Sequence, residues 1–299
     1  MRAAVIFNPQ SGRGRAGAIA HTVQESLAKR GLECQLYATR QPKEAIILAE
    51  RNAPEVDIVV AIGGDGTINE VTNGMARARD KSGPGRWQPM LGIVPAGTVN
   101  VLALELGIPF QVERACAVIA GDKTLSLDQG KVNGRRFMLM MGAGIDALTV
   151  RNVDLTAKRR FKELAFVTKG MSLGFAHRHP VFVVRVNGEE HIATFMVAGN
   201  SRWYAGRFGV TPMADPTDGV LDLVLYTGLD RPGLAAFWLG VPSGLHLRAK
   251  KTLYLHATKA EIFPVSNDEP IWFQTDGELA GRLPAYLEVE PHAIEVLLP

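Results

Sequence analysis

Residues 56–74 read VDIVVAIGGDGTINEVTNG, and this stretch decides the kind of fold to expect. The run Asp57-Ile58-Val59-Val60-Ala61-Ile62 is short, apolar and rich in β-branched side chains, which is the pattern of a strand buried on both faces of a parallel sheet. It breaks into Gly63, Gly64, Asp65, Gly66 and Thr67, after which Ile68, Val71 and Met75 recur at helical spacing. A strand that passes through glycines into a helix presents backbone N–H groups to an anion. The missing Cβ atoms allow close approach, and the helix start carries partial positive charge. Asp65 inside that loop would repel a bare phosphate, so the loop points to a nucleotide that brings a metal ion. The plainer alternative is a tight βα turn with Asp65 as helix N-cap. Thr67, Asn69 and Glu70 crowding the same helix start favour the functional reading.

Working back from this stretch, the sequence predicts a strand over Ala3–Phe7, a loop over Asn8–Gly14, and an amphipathic helix over Ala16–Lys29 with Ile19, Val23 and Leu27 on one face. A strand over Leu32–Tyr37, closed by Ala38-Thr39-Arg40, and a helix over Glu44–Arg51 follow. The order βαβαβ with short connections implies a parallel, doubly wound α/β sheet. Ligands bind such sheets beyond the carboxyl ends of the strands, where Asn8, Thr39 and Gly63–Thr67 all fall. Downstream, a polar connection over Asp80–Pro89 leads to a strand over Leu91–Val94. Pro95-Ala96-Gly97-Thr98-Val99-Asn100 and a helix over Val101–Leu106 come next. This second strand–glycine–helix element places two helix N-termini against one triphosphate, as an expectation. A helix over Gln111–Ala120 ends the first domain, 1–124.

From Leu125 the rhythm becomes alternating, in the runs Leu125–Lys131, Arg135–Met141, Val181–Val186, Glu190–Gly199, Val220–Tyr226 and Thr252–Phe263. Asn133-Gly134 and Asn187-Gly188 between such runs are strong hairpin signals. The second domain, 125–299, is therefore expected to be an antiparallel β-sandwich or barrel with one or two helical insertions, its last residues free to pack back on the first. The insertion Asp154–Phe175 mixes Lys158, Arg159, Arg160 and Lys162 with Phe161, Leu164, Phe166, Met171 and Phe175. It reads either as a solvated helix face or as an element that docks on anionic lipid headgroups.

Two acidic clusters stand out in this half. Met213–Asp222 holds Asp215, Asp218 and Asp222, explained by Asx turns or by a hard cation seeking oxygen ligands. Gln274-Thr275-Asp276-Gly277-Glu278 is either a hairpin turn or the carboxylate that a hydroxyl-phosphorylating enzyme needs to orient its acceptor and take its proton.

The segment GGDGTINEVTNG resembles the signature of the diacylglycerol kinase catalytic domain, shared by bacterial lipid kinases and sphingosine kinases. The more distant NAD kinases and phosphofructokinases share its GGDG core. The family pattern PxGTxNDxA is matched at Pro95, Gly97, Thr98, Asn100 and Ala103. It is broken at Val101, where many members carry an acidic residue that helps hold the catalytic magnesium. The resemblance implies an ATP site lined by Asn8, Thr39, Gly63, Gly64, Asp65, Gly66, Thr67, Asn69, Glu70, Gly97 and Thr98. It implies Asp276 as general base, with Glu278 supporting the metal or the base and Asp65 anchoring the metal. It also implies a structural Mg²⁺ held by the Asp218 carboxylate and main-chain oxygens of Asp215 and Val220. The activity implied is transfer of the ATP γ-phosphate to the hydroxyl of a diacylglycerol-like or other long-chain lipid, in phospholipid metabolism, with the active site in the cleft between the domains. The alternatives are phosphorylation of a soluble hydroxyl compound such as NAD, and nucleotide or lipid binding without catalysis.

The wider composition bounds these readings. The chain has 299 residues, 46% of them hydrophobic, and a net charge of 33 − 30 = +3, too small to argue for nucleic acid. Cys34 and Cys116 lack metal-ligand spacing, which fits free thiols in a cytoplasmic protein. No signal peptide and no apolar run of the ~18 residues needed to span a bilayer is found, so lipid access implies transient contact with the inner membrane face. The histidines show no ligand spacing and no serine sits in a G-x-S-x-G context, which sets zinc-enzyme and hydrolase readings aside. Nothing in the sequence reports an oligomeric state.

Overall fold

The computed structural model describes residues 1–83, 88–97, 99–145, 147, 180–204, 206–266 and 268–299. Thr98 and the basic segment Asp154–Phe175 lie outside them. The chain divides into two compact units, residues 1–127 with 292–299, and residues 128–291. Among the described residues no helix is long and apolar enough to cross a membrane.

In the first unit β1 (Arg2–Phe7), β2 (Glu33–Ala38), β3 (Ile58–Gly63) and β4 (Met90–Pro95) form a parallel sheet in the order β2-β1-β3-β4. Every residue of β3 is buried, as its unbroken apolar run requires. The chain runs outward from β1 to β2 and then returns past β1 to β3. The sheet therefore has a switch point between β1 and β3, where such folds bind ligands. The helices are α1 (Ser11–Gly14), α2 (Ala16–Ala28), α3 (Glu44–Asn52), α4 (Asp65–Ser82), α5 (Val101–Glu105) and α6 (Val112–Ile119). Ala20, Val23 and Leu27 of α2 and Ala115, Cys116 and Ile119 of α6 pack with Val5, Ile58 and Val60 of the sheet. On α4, a Cβ at Gly74 would lie 2.3 Å from the Ile46 carbonyl, so glycine there lets α3 and α4 approach.

Two differences from the sequence reading have local causes. A one-turn helix, α1, occupies part of the expected 8–14 loop. Helix α4 runs on to Ser82, through residues that read as connection. Lys81 and Arg77 pair with Glu50 at 2.5 and 3.8 Å, and Arg79 donates to the Ala293 carbonyl at 2.7 Å. These contacts tie down a polar last turn that carries little apolar signal of its own.

The second unit is a sandwich of two antiparallel sheets. One runs in the order β12-β11-β10-β7-β14-β15, from β7 (Met140–Gly144), β10 (Phe195–Gly199), β11 (Leu221–Tyr226), β12 (Thr252–Ala257), β14 (Trp272–Thr275) and β15 (Glu278–Arg282). The other contains β8 (Phe182–Val186), β9 (Glu189–Ala193), β13 (Lys259–Pro264) and the first part of β16 (Ala285–Leu297), whose residues from His292 on belong to the first unit, in the order β16-β13-β8-β9. There β5 (Thr124–Val132) pairs with β16 and with β6 (Arg135–Phe137). Phe137, Phe182, Val184 and Ile262 from one sheet meet Met141, Met196, Leu223 and Phe273 from the other in a single apolar core. A helix α7 (Arg231–Gly240) is capped by Asp230, whose carboxylate accepts the Gly233 N–H at 2.7 Å.

Three runs that read as single strands are each two. Arg135–Met141 breaks at Met138-Leu139, Glu190–Gly199 at Thr194, and Thr252–Phe263 at Thr258. Each break is where the chain leaves one sheet of the sandwich for the other. Across Met138-Leu139 and Thr194-Phe195 every residue is buried, so no polar break marks the crossing, whereas at Thr258-Lys259 two exposed polar residues shift the alternation by one.

Candidate active site

Asn8, Gly63, Gly64, Asp65, Gly66, Thr67 and Gly97 lie at the carboxyl ends of β1, β3 and β4. The loops after β3 and β4 touch backbone to backbone. A Cβ on Gly97 would lie 2.4 Å from the Cα of Gly64, and one on Gly64 would lie 3.3 Å from the Cα of Gly97. Ala96 and Gly97 donate their N–H groups to the Gly63 carbonyl at 2.8 and 3.1 Å. The loop after β1 joins them through Gly12, whose position against the Ala96 carbonyl leaves 2.6 Å for any added Cβ. Gly64 is the extended N-cap of α4, and the Ile68 N–H bonds back to its carbonyl. The amides of Gly66 and Thr67 in the first turn thus fall among the donors that a helix start leaves without intrahelical partners.

Asp65 is the hinge of this arrangement. Its carboxylate accepts the Val101 N–H at 3.0 Å and the Leu102 N–H at 3.1 Å. It therefore caps α5 from across the two loops. Burial pushes its carboxyl above the usual range, against the pull of those amide bonds. One expectation changes here. Asp65 takes the Val101 and Leu102 amides at the start of α5, so these two are not open to a phosphate. Val101 is buried and apolar, and supplies its backbone rather than a metal ligand.

The other predicted residues are placed as follows. Asn8 forms an Asx turn, accepting the Gln10 N–H at 2.9 Å. Thr39 follows β2, with its N–H on the Phe7 carbonyl at 2.9 Å. Thr67 packs over Gly63. Asn69 is buried and accepts from the Asn73 amide within α4. Glu70 accepts the Lys43 N–H at 3.1 Å, at the start of α3. These bonds tie Asn69 to the next turn of α4 and Glu70 to the start of α3.

In the second unit, Asp276 and Gly277 join β14 to β15 with φ of 48° and 81°, the geometry of a type I′ hairpin. The Asp276 carboxylate accepts three backbone N–H groups, from Met138 at 2.9 Å, Leu139 at 2.9 Å and Met140 at 3.0 Å. Its own N–H bonds the Met140 carbonyl at 3.0 Å. The turn thus aims one carboxylate and locks it to the bend between β6 and β7. Glu278 is exposed and pairs with Arg135 at 2.8 Å.

The Asp215–Val220 loop is built of Asx turns. Asp215 accepts from the Thr217 N–H and hydroxyl, and Asp218 accepts the Val220 N–H at 3.0 Å. Among the described residues no cluster of three or more His, Cys, Asp or Glu side chains is arranged to hold a metal ion. The donors present, one carboxylate with main-chain carbonyls, fit by type a hard cation that keeps several waters.

Three residues were missed. Asn100 is buried, sits at φ 52°, and closes the Gly97 loop by accepting the Gly97 N–H at 3.2 Å. The signal was present in PAGTVN, since a left-handed residue before a helix favours Asn. Gly12 was visible as the glycine of NPQSG. Asp128 is fully buried and accepts the Gly219 N–H at 2.7 Å, and a lone carboxylate within an alternating run gave no sign of this.

Comparison with known proteins bears on this geometry. Residues 2–132 match the diacylglycerol kinase catalytic domain, and residues 140–298 match the YegS C-terminal NAD kinase beta sandwich-like domain. A diacylglycerol kinase of Staphylococcus epidermidis is 31% identical over 306 residues, covering 100% of this chain and 92% of that protein. The chain belongs to the diacylglycerol kinase family. A diacylglycerol kinase of Bacillus subtilis is 30% identical over 307 residues, covering 100% of this chain and 96% of that protein. The fold is shared with a Bacillus anthracis crystal structure titled a diacylglycerol kinase, at a TM-score of 0.77 and 22% identity over 100% of this chain and 97% of that one. Membership of the diacylglycerol kinase family makes this protein a lipid kinase and implies ATP as its co-substrate.

Proposed function

We infer that the protein transfers the γ-phosphate of ATP to the hydroxyl of a diacylglycerol-like or other long-chain lipid. The triphosphate lies along the glycine loops after β1, β3 and β4, with the α4 amides of Gly66 and Thr67 toward its oxygens. Asp65 acts through the loops, holding the strand-β4 loop against the strand-β3 loop. Asp276 orients the lipid hydroxyl. As the hydroxyl oxygen forms its bond to the γ-phosphorus, the bond from that phosphorus to the β,γ-bridging oxygen breaks, ADP leaves, and the proton passes to an Asp276 oxygen. A magnesium ion brought with the nucleotide would supply neutralisation of the charge that develops during transfer. A second magnesium at the Asp215–Val220 loop, with Asp218 as its carboxylate, would stiffen the sandwich rather than enter the chemistry.

The observation that carries this reading is the grip of three backbone amides on Asp276. A hairpin needs only the left-handed backbone of Asp-Gly, and this carboxylate is held in one direction besides. The test is transfer from γ-labelled ATP to a panel of diacylglycerol, monoacylglycerol, sphingoid bases and phosphatidylglycerol, with NAD as the soluble competitor. Labelled lipid that disappears in Asp276→Asn, with ATP binding kept, supports the assignment. Labelled NAD with no labelled lipid replaces it by the soluble-substrate reading, and ATP binding without any transfer replaces it by a binding role.

A further inference from the structure

Helix α7 reads RPGLAAFWLG, apolar in every residue after Arg231. Such a helix is normally covered all round. Its inner side is covered. Leu234, Phe237 and Trp238 are buried, with Phe237 and Trp238 each 5.2 Å from the Phe195 ring and Phe237 5.8 Å from Tyr226. Its outer side, Pro232, Ala236 and Leu239 at spacings of four and three, is exposed and bears no polar group. The chain then turns back over the helix C-terminus. His246 lies edge-on to Phe237 at 5.3 Å, and the backbone of His246 would sit 2.6 Å from any Cβ on Gly240. This return adds exposed Pro242 and Leu245. At the other end, Leu229 lines a depression with Lys251. Leu229 and Leu239, at 65% and 64%, are the two most exposed large apolar residues described, and Leu245 reaches 54%.

The charge of this cap is one-sided. From residue 231 to residue 260 there is no Asp or Glu, and five Lys or Arg residues occur. Lys251 is paired with Asp230, while Arg248 and Lys250 are exposed and form no ion pair among the described residues. Protruding leucines with cationic side chains beside them complement a surface that is apolar within and anionic at its face.

We propose that the outer face of α7, with Leu229, Leu239 and Leu245 and the cations Arg248 and Lys250, docks on a bilayer containing anionic lipid. The proposal deepens the reading above, because a kinase with a lipid acceptor must meet that acceptor at a membrane.

The test is co-sedimentation of the full chain with vesicles of phosphatidylglycerol and phosphatidylcholine, and with phosphatidylcholine alone. Binding to the mixed vesicles is expected, weaker binding to the neutral ones, and a loss of about tenfold or more in the Leu239→Asp/Leu245→Asp variant. The Arg248→Gln/Lys250→Gln variant is expected to release the vesicles at lower salt. Both pairs are exposed, and circular dichroism checks that the variants fold. Retained phosphorylation of a lipid dispersed in detergent micelles by Leu239→Asp/Leu245→Asp separates docking from chemistry. Vesicle binding that depends on this face, with no lipid phosphorylated, leaves the docking surface standing and removes the kinase reading. Equal vesicle binding by wild type and Leu239→Asp/Leu245→Asp overturns the proposal. So does absence of vesicle binding together with a dimer in light scattering that the same variant dissolves, which assigns the face to a second copy.

Discussion

The carboxylate of Asp65 and the amide of Val101 meet at 3.0 Å, 36 residues apart in the chain, and Leu102 adds a second amide at 3.1 Å. One side chain at the start of α4 thereby fixes the start of α5, and with it the spacing of the two glycine loops. Asp65→Ala leaves two partly buried N–H groups without their acceptor and should cost about 2–3 kcal/mol in urea unfolding. Asp65→Asn keeps one acceptor and escapes the burial of a charge, so its cost should be nearer ~1 kcal/mol. ATP affinity by calorimetry should fall in both, more in Asp65→Ala. Equal stability of the two variants would show that the carboxylate is not the cap.

The contact between Gly64 and Gly97 gives a steric test of the same site. Gly97→Ala sets a Cβ 2.4 Å from the Cα of Gly64, with no flexible side chain to yield. The loops must separate, and ATP should bind at least about tenfold more weakly, since misplaced phosphate contacts are lost together. Gly17→Ala on α2 is the control. Nothing lies within 4 Å of its Cβ, and alanine favours the helix by about 0.5–1 kcal/mol. Unchanged ATP affinity in Gly97→Ala removes the glycine pair from the nucleotide site.

Much of this architecture was readable because its signals are local. The β3 run, the glycines after it, and the Asn-Gly pairs at Asn133 and Asn187 each state their conformation within a few residues. Both Asn-Gly pairs adopt the left-handed backbone that their type demands. What escaped reading depends on distant partners. The crossings at Met138 and Thr194 fall among buried residues and leave no polar break, while that at Thr258 shows only as a one-residue shift of the alternation. Asp65 as a cap on α5, and Asp128 beneath the Gly219 turn, are bonds made across tens of residues. The sequence shows an aspartate in each case and is silent on which amide it will meet.

Asp276 lies between the two situations, since its turn was legible and its carboxylate partners were not. Replacing it by Asn preserves the Asp-Gly turn and sets an NH₂ group against amides that now donate to oxygen, at a cost of about 1–3 kcal/mol. Lipid phosphorylation should fall by about 10²–10⁴-fold, the usual span for loss of a general base, with ATP affinity within about twofold of wild type. Glu278→Gln, which breaks only an exposed pair with Arg135, should cost under about 1 kcal/mol. A labelled-phosphate assay beside calorimetry checks both. If Asp276→Asn turns over at the wild-type rate, the base lies elsewhere.

His246 supplies a pH dependence whose sign is fixed by its surroundings. The ring is 1% exposed, stands edge-on to Phe237, and has Nε2 3.0 Å from the Val210 carbonyl. Burial pushes its pKa below the ordinary value. The folded protein therefore holds this histidine neutral at a pH where the unfolded chain, titrating near ~6.5, already binds a proton. Its contribution to stability is present above the unfolded value and is lost as pH falls through the folded one. Urea unfolding of wild type should weaken from pH 7.5 to pH 5. His246→Gln keeps a donor toward Val210 and cannot take up the proton, so it should weaken less. The stability gap between the two proteins must then narrow on acidification. A gap that stays constant across that range assigns the acid sensitivity to other groups.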